Sequence, residues 1–237
     1  MSRPIRIEYE GAFYHVMNRG LARQKVFLTD EDCDTFLDGI KEAALRWKVG
    51  VYGYALMGNH YHICLETPMG NLSRVMRHMD GVYTQRFNRA HKRDGPIFRG
   101  RYKAILIDRE EYLGQVVRYI HLNPVKAKIV EDPREYRWSS HEEYLGKKAK
   151  PNWLKTAKLL ASLEGAKGFH RYVMEGNEEA IERFYVKGRQ SPILGDDQFK
   201  EGLAVEIKEE HTLEESRNIG SGFEEWVREI ANYYAED

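Results

Sequence analysis

VGVYGYALMGNHYHICLE, residues 49–66, decides the fold. It holds two short runs rich in valine, tyrosine and isoleucine, 49–57 and 60–66, separated by Gly58-Asn59. That pair is a common tight-turn dipeptide in reversed order, so the stretch predicts a β-hairpin. On a strand, alternate side chains share a face. His60 and His62 therefore project together, while Tyr61 and Ile63 face the other way. Glu66, four residues past His62, falls on the histidine face. It could accept a hydrogen bond from an imidazole or simply be a surface acid at a strand end.

Working outward, GAFYHVMNRG (11–20) reads as a strand ending in Gly20. Thr29 or Asp30 can cap a following helix, with acids in its first turn where the helix dipole favours them. Phe36, Leu37, Ile40, Ala44 and Trp47 recur at helical spacing, and Gly50 reads as its close. On the other side of the hairpin, Asn71 begins a helix to about His91, with Leu72, Val75, Met79, Val82 and Phe87 inward. FRGRYKAILID (98–108) reads as a fourth strand. A further helix runs from Arg109 to about Leu122, with Pro124 fixing its end. The order is βαββαβ plus one helix, which predicts an α+β, ferredoxin-like antiparallel sheet with helices on one face. Beyond it, 131–146 reads as irregular chain tied down by Tyr136 and Trp138, and KKAKP (147–151) as a linker. Residues 152–190 read as helices, 191–222 as polar and poorly ordered in part, and 222 onward as the start of another helix. We divide the chain into a domain at 1–148 and an acidic, mainly helical extension at 149–237.

Of 237 residues, 42% are hydrophobic, enough for a real core. No run approaches the roughly 18 apolar residues of a membrane helix, and the N-terminus lacks a signal-peptide pattern. Cys33 and Cys64 form no CxxC pair, which excludes a zinc ribbon and suits reduced thiols in the cytoplasm. Net charge is zero, yet residues 1–150 carry 26 Lys+Arg against 19 Asp+Glu, while 151–237 carry 11 against 18. A front of +7 joined to a tail of −7 differs from a neutral protein. Between Asn71 and Lys103 there are nine basic residues and two acids. Arg74, Arg77, Arg86, Arg89, Lys92, Arg93, Arg99, Arg101 and Lys103 are candidate contacts to a nucleic-acid backbone, with Phe98 and Tyr102 available for stacking. The plainer reading is that several of them solvate a helix.

Two imidazoles at i and i+2 on one strand face can bind one divalent ion, although an isolated HxH is as easily chance. Tyr119 and Asn123 are i, i+4 on the third helix and share a face. A phenol is a usable nucleophile once its proton is lost or its target polarised. An amide oxygen is a neutral, hard ligand suited to Mg²⁺ or Mn²⁺. Against this, the chain has 15 tyrosines, and Asn before Pro is an ordinary helix end. His15 and Arg19, on the first strand, could approach the site or serve the structure. His121 points off the Tyr119–Asn123 face. His78, His91, His141, His170 and His211 show no ligand spacing, and Trp138, Ser139 and Ser140 read as packing and turn residues.

Four blocks in order, GAFYHVMNRG, YALMGNHYHICLE, GPIFRGRYKAILI and YLGQVVRYIHLNPVKAKIVEDPREYRWSS, resemble the HUH-type single-tyrosine transposases. The likeness is to the REP-associated tyrosine transposase branch and runs from Gly11 to Ser140. It implies His60 and His62 as metal ligands, Tyr119 as nucleophile and Asn123 as third ligand, on a ferredoxin-like fold. It further implies a DNA transposase that nicks and joins single-stranded DNA through a 5′-phosphotyrosine, on hairpin or repeat DNA, with Mg²⁺ or Mn²⁺. Such an enzyme works as a monomer or homodimer and is nucleoid-associated when bound to DNA. Relatives often have proline where Gly58 stands, so a looser turn is expected here. Some carry a further basic module after a similar extension; its absence before Asp237 reads as either a truncated or a naturally short form. Two rivals are weighed beside it. A silent nucleic-acid binder on the same fold has no need for His60, His62, Tyr119 and Asn123 together. A zinc hydrolase starting from HxH needs a barrel and later ligands.

Overall fold

Four strands carry the sheet: β1 (Ala12–Arg19), β2 (Gly50–Met57), β3 (His60–Thr67) and β4 (Lys103–Ile107). The computed structural model describes residues 7–176, 181, 193–196 and 198–203. All four pair antiparallel, and β5 (Ile193–Leu194) adds in parallel to β4, giving the order β2-β3-β1-β4-β5. The expected ferredoxin-like arrangement is present, extended by a strand from a stretch that reads as polar loop. β4 is shorter than the expected 98–108. Phe98 bridges Gly20, then the chain bends, and Asn18 Nδ2 donates to Gly100 O at 3.3 Å before pairing resumes.

α1 (Asp30–Trp47) begins with a reciprocal capping box: Thr29 accepts from the Asp32 N–H, and Asp32 accepts from the Thr29 N–H. It ends at Lys48 in the left-handed region (φ 57°), so Gly50 opens β2 rather than closing the helix. α2 (Leu72–Ala90) packs beside α1 on one sheet face. There Phe36, Ile40, Val75, Met79 and Tyr83 meet Tyr14, Val16, Tyr61 and Ile63. The Phe36 and Tyr61 rings lie 4.7 Å apart.

α3 (Arg109–Lys126) covers the opposite face, which amends the expectation of helices on one side only. Leu113, Val116, Val117 and Ile120 bury against Phe13, Ala55, Cys64 and Ile105. The small residues of β2 permit this approach: a Cβ on Gly53 would meet Val117 Cγ1 at 3.3 Å. Pro124 does not end the helix but lies inside it. It removes only its own N–H from the ladder. The turn continues because the Ala127 N–H donates to Asn123 O (2.9 Å) and the Ile129 N–H to Pro124 O (3.0 Å).

The segment after α3 is irregular, as expected, and has a specific task. Leu56 N donates to Trp138 O (2.8 Å) and Ser140 N to Tyr54 O (3.0 Å) along the outer edge of β2. Tyr136 Oη donates to Leu56 O at 2.7 Å. Further along the same edge, Val51 N donates to Trp153 O (3.1 Å) and Lys155 N to Val51 O (2.7 Å). Then come α4 (His141–Tyr144), α5 (Ala157–Ser162) and α6 (Gly165–Glu175). Phe169 of α6 stacks on Tyr144 at 4.2 Å. The remainder of the helices expected to 190, and the helix expected from 222, lie outside the described residues. No helix among the described residues is long and apolar enough to cross a membrane.

Three histidines read as ordinary or off-face are joined here. His121 Nε2 contacts Ser140 Oγ (2.7 Å), His121 Nδ1 contacts His141 Nδ1 (3.2 Å), and His141 Nε2 contacts His170 Nδ1 (3.1 Å). Buried imidazoles require partners, and this chain supplies them between α3, α4 and α6.

Candidate active site

The strand register sets out the site in rows. On the α3 face, His60 lies opposite Arg19 and Met57; His62 lies opposite Met17 and Ala55, and Met17 opposite Lys103; Cys64 lies opposite His15 and Gly53. β1 is the inner neighbour of β3, not a distant edge, which brings His15 and Arg19 into this surface. The His60 and His62 rings are 5.1 Å apart at their centroids. Tyr119 comes down from α3 onto them, its ring centroid 6.0 Å from His62 and 5.9 Å from His15. Asn123 follows one turn later, and its Nδ2 donates to Tyr119 O at 2.8 Å. Lys126 Nζ stands 4.7 Å from the centre of the Tyr119 ring.

Burial, helped by the Arg19 charge, lowers His60 to about 4 and holds His62 well below the ordinary imidazole range, with His15 and His60 adding to the effect on His62. Both rings are therefore neutral, the form that offers a lone pair to a cation. Their Nδ1 atoms are both engaged. His60 Nδ1 lies 2.6 Å from Asn59 Oδ1, and an amide oxygen only accepts, so the His60 proton sits on Nδ1. His62 Nδ1 lies 2.9 Å from His15 Nε2. An Nδ1–H given to an oxygen acceptor, as at His60, is the usual way in which a metal-binding histidine is oriented. Among the described residues no group of three His, Cys, Asp or Glu side chains is placed to hold an ion. A divalent cation held here would take the two imidazoles and a neutral oxygen such as that of Asn123, a mixed nitrogen and oxygen donor set in which the amide oxygen is the hard ligand.

Other expectations change. Glu66 Oε2 accepts from Tyr52 Oη at 2.8 Å and is drawn to β2 rather than to an imidazole. The turn at Gly58 is held, since its carbonyl accepts from the Val26 (2.9 Å) and Phe27 (3.1 Å) N–H groups. Arg74, Arg77, Arg86 and Arg89 sit on α2, across the sheet from Tyr119. Arg86 pairs with Glu42 at 2.7 Å, and Arg93 donates to Gln24 Oε1 at 2.7 Å. Lys92 follows α2 with φ 51°, and Arg99 and Arg101 lie in the bend before β4. Lys103 alone of the nine shares a sheet row with His62. Phe98 and Tyr102, expected as stacking platforms, are each 6% exposed and belong to the α1–α2 core. Lys126 was missed, although its position seven residues after Tyr119 is two helical turns; a lysine in a last turn reads as dipole compensation.

Comparison with known proteins follows this geometry. Residues 8–123 match the family model described as "Transposase IS200 like". No curated protein matches the chain. The structure is similar to that of a REP-associated tyrosine transposase bound to a REP hairpin. The TM-score is 0.52 at 18% identity, covering 65% of this chain and 92% of that one. A candidate transposase from Deinococcus radiodurans R1 aligns at a TM-score of 0.36 and 20% identity, over 51% of this chain and 95% of that one. The first likeness concerns the fold; the family match spans β1 through Asn123 of α3, just under half of the chain, and over that stretch this chain is similar to the IS200-like transposases.

Proposed function

We propose that the chain nicks and rejoins single-stranded DNA, with Tyr119 as the nucleophile. The observation that carries this is the edge-on contact of the Tyr119 ring with His62 and His15 within one subunit, at 6.0 and 5.9 Å between centroids. His60, His62 and Asn123 would hold Mg²⁺ or Mn²⁺, which when bound supplies Lewis-acid polarisation of the scissile phosphate. The Tyr119 oxygen attacks phosphorus, the bond to the 3′-oxygen breaks, and that oxygen leaves as a 3′-hydroxyl with the proton the phenol gives up. The 5′-phosphotyrosine keeps a phosphodiester, so a second 3′-hydroxyl can reverse the step and join new ends without ATP. The Lys126 ammonium, at 4.7 Å from the ring centre, favours the phenolate that must form. Hairpin or repeat DNA is the substrate class, in keeping with the REP hairpin held by the similar transposase.

The test is covalent capture of a hairpin oligonucleotide, followed as a protein–DNA adduct on a denaturing gel. We expect adduct with Mg²⁺ or Mn²⁺ and none with a chelator. His60→Ala combined with His62→Ala should slow it about 100-fold or more. An undiminished rate in that double variant would remove the cation from the reading.

Basic groups on the site face, Arg19, Lys103 and Lys126, are the phosphate contacts we favour over those of α2. With three phosphates neutralised, raising salt from about 50 to 200 mM should weaken single-strand binding about 20-fold. Arg19→Ala and Lys103→Ala should flatten that dependence and Arg86→Ala should not. Flattening by Arg86→Ala and none by the other two would return the interface to α2.

A further inference from the structure

His15 is a histidine where the sheet calls for a hydrocarbon. It is fully buried, flanked in its row by Cys64 and Ile105, and overlaid by α3. A leucine would fill such a place without the cost of desolvating an imidazole. What the imidazole adds is a 2.9 Å contact from its Nε2 to Nδ1 of His62, its diagonal neighbour across the β1–β3 ladder. Neither ring can satisfy this contact without fixing a tautomer. If His15 donates, the His62 proton lies on Nε2 and that nitrogen has no lone pair to offer. If His62 donates, Nε2 is bare. Only the second state matches His60, whose Nδ1 proton is fixed by Asn59 and whose Nε2 is likewise bare.

We infer that His15 is a positioning residue: it accepts the Nδ1 proton of His62, holds that ring in the Nε2-bare tautomer, and so prepares it for a divalent cation. The inference rests on the metal-ligand reading of His62 given above. It also explains why His15 is not itself a third ligand, because its Nε2 is engaged by His62. The pairing forms before any cation arrives, and it makes one strand of the sheet responsible for the donor atom of the next.

Two measurements test it on the full chain. The first is a long-range ¹H–¹⁵N correlation spectrum of the metal-free, ¹⁵N-histidine protein, with the His62 signals identified by their loss in His62→Asn. Wild type should show His62 protonated on Nδ1. His15→Leu should shift it toward the Nε2-protonated or mixed form, and His15→Gln, whose amide oxygen can accept the same proton, should restore it. The second is Mn²⁺ affinity by electron paramagnetic resonance. His15→Leu should weaken binding about 10- to 100-fold, and His15→Gln should recover most of it. An Nε2-protonated His62 in the wild type overturns the inference, even if His15→Leu fails to fold. So does a folded His15→Leu with unchanged tautomer and affinity. A wild type that binds no Mn²⁺ but whose His62 tautomer follows His15 sinks the metal reading while sparing the hydrogen-bond assignment.

Discussion

Tyr119→Phe should leave a folded, DNA-binding protein that forms no covalent adduct. The substitution keeps the ring that packs on His62 and His15 and faces the Lys126 ammonium, and deletes only the hydroxyl. Stability should therefore change by no more than about 1 kcal/mol. Adduct formation should fall at least about 10⁴-fold, because the bond-forming atom is gone and the remaining groups cannot replace it. Hairpin affinity, measured by fluorescence anisotropy, should stay within about threefold, since the phosphate contacts lie on other side chains. Residual nicking without adduct would mean that water can take the place of the phenol. An adduct at the wild-type rate would mean that another nucleophile is used, and the assignment of Tyr119 would fail.

Acid should unfold the metal-free protein unusually early. Burial lowers His15 and His141 to about 3 and His60 to about 4, with charges from Arg19 adding at His60 and His170 at His141. It also holds His62 and His121 well below 6.5. Their folded values lie under the unfolded one, so the neutral native rings contribute stability in full above about pH 6.5. As pH falls from there toward 3–4, the unfolded chain gains protons that the native chain cannot take up. Each such group removes on the order of 1 kcal/mol per pH unit, so His15, His60 and His141 alone remove about 3–4 per unit. A domain of ordinary stability, about 5–15 kcal/mol, should then lose its fold at about pH 4–5. Chemical denaturation at several pH values checks this. His141→Gln should make the slope shallower by one group's share, on the order of 1 kcal/mol per unit. A stability flat between pH 6.5 and 4 would mean the rings are protonated in the native state.

The parts of this site legible in the sequence are those fixed by a single element. Period-two spacing puts His60 with His62, and i, i+4 spacing puts Tyr119 with Asn123, whatever the rest of the chain does. The succession of strands and helices along the chain follows from alternation and turn residues in the same way. What escapes the sequence depends on relations between elements. The pairing of His15 with His62 needs the β1–β3 register. The His121–His141–His170 chain needs three helices docked together, across 20 and 29 residues of sequence. The side of the sheet that α3 covers follows from the small residues Gly53 and Ala55, a signal present in the hairpin but mute until a helix is laid on it. Ile193–Leu194 are two apolar residues in a polar stretch, too few to announce a strand. The α2 arginines, across the sheet from Tyr119, show the converse limit. Their charge was plain, but charge carries no statement of which face it is on.

The covering of β2 bears on how this protein meets others. Backbone from 138–140 and 153–155 already occupies the outer rim of that strand, and Ile193–Leu194 lies along β4 at the far end. A second copy cannot add a strand to the β2 rim without first peeling these segments away. Self-association along that rim would have to be built from side chains, and clipping the chain between 147 and 151 would loosen the seal and leave a sticky, strand-recruiting border behind.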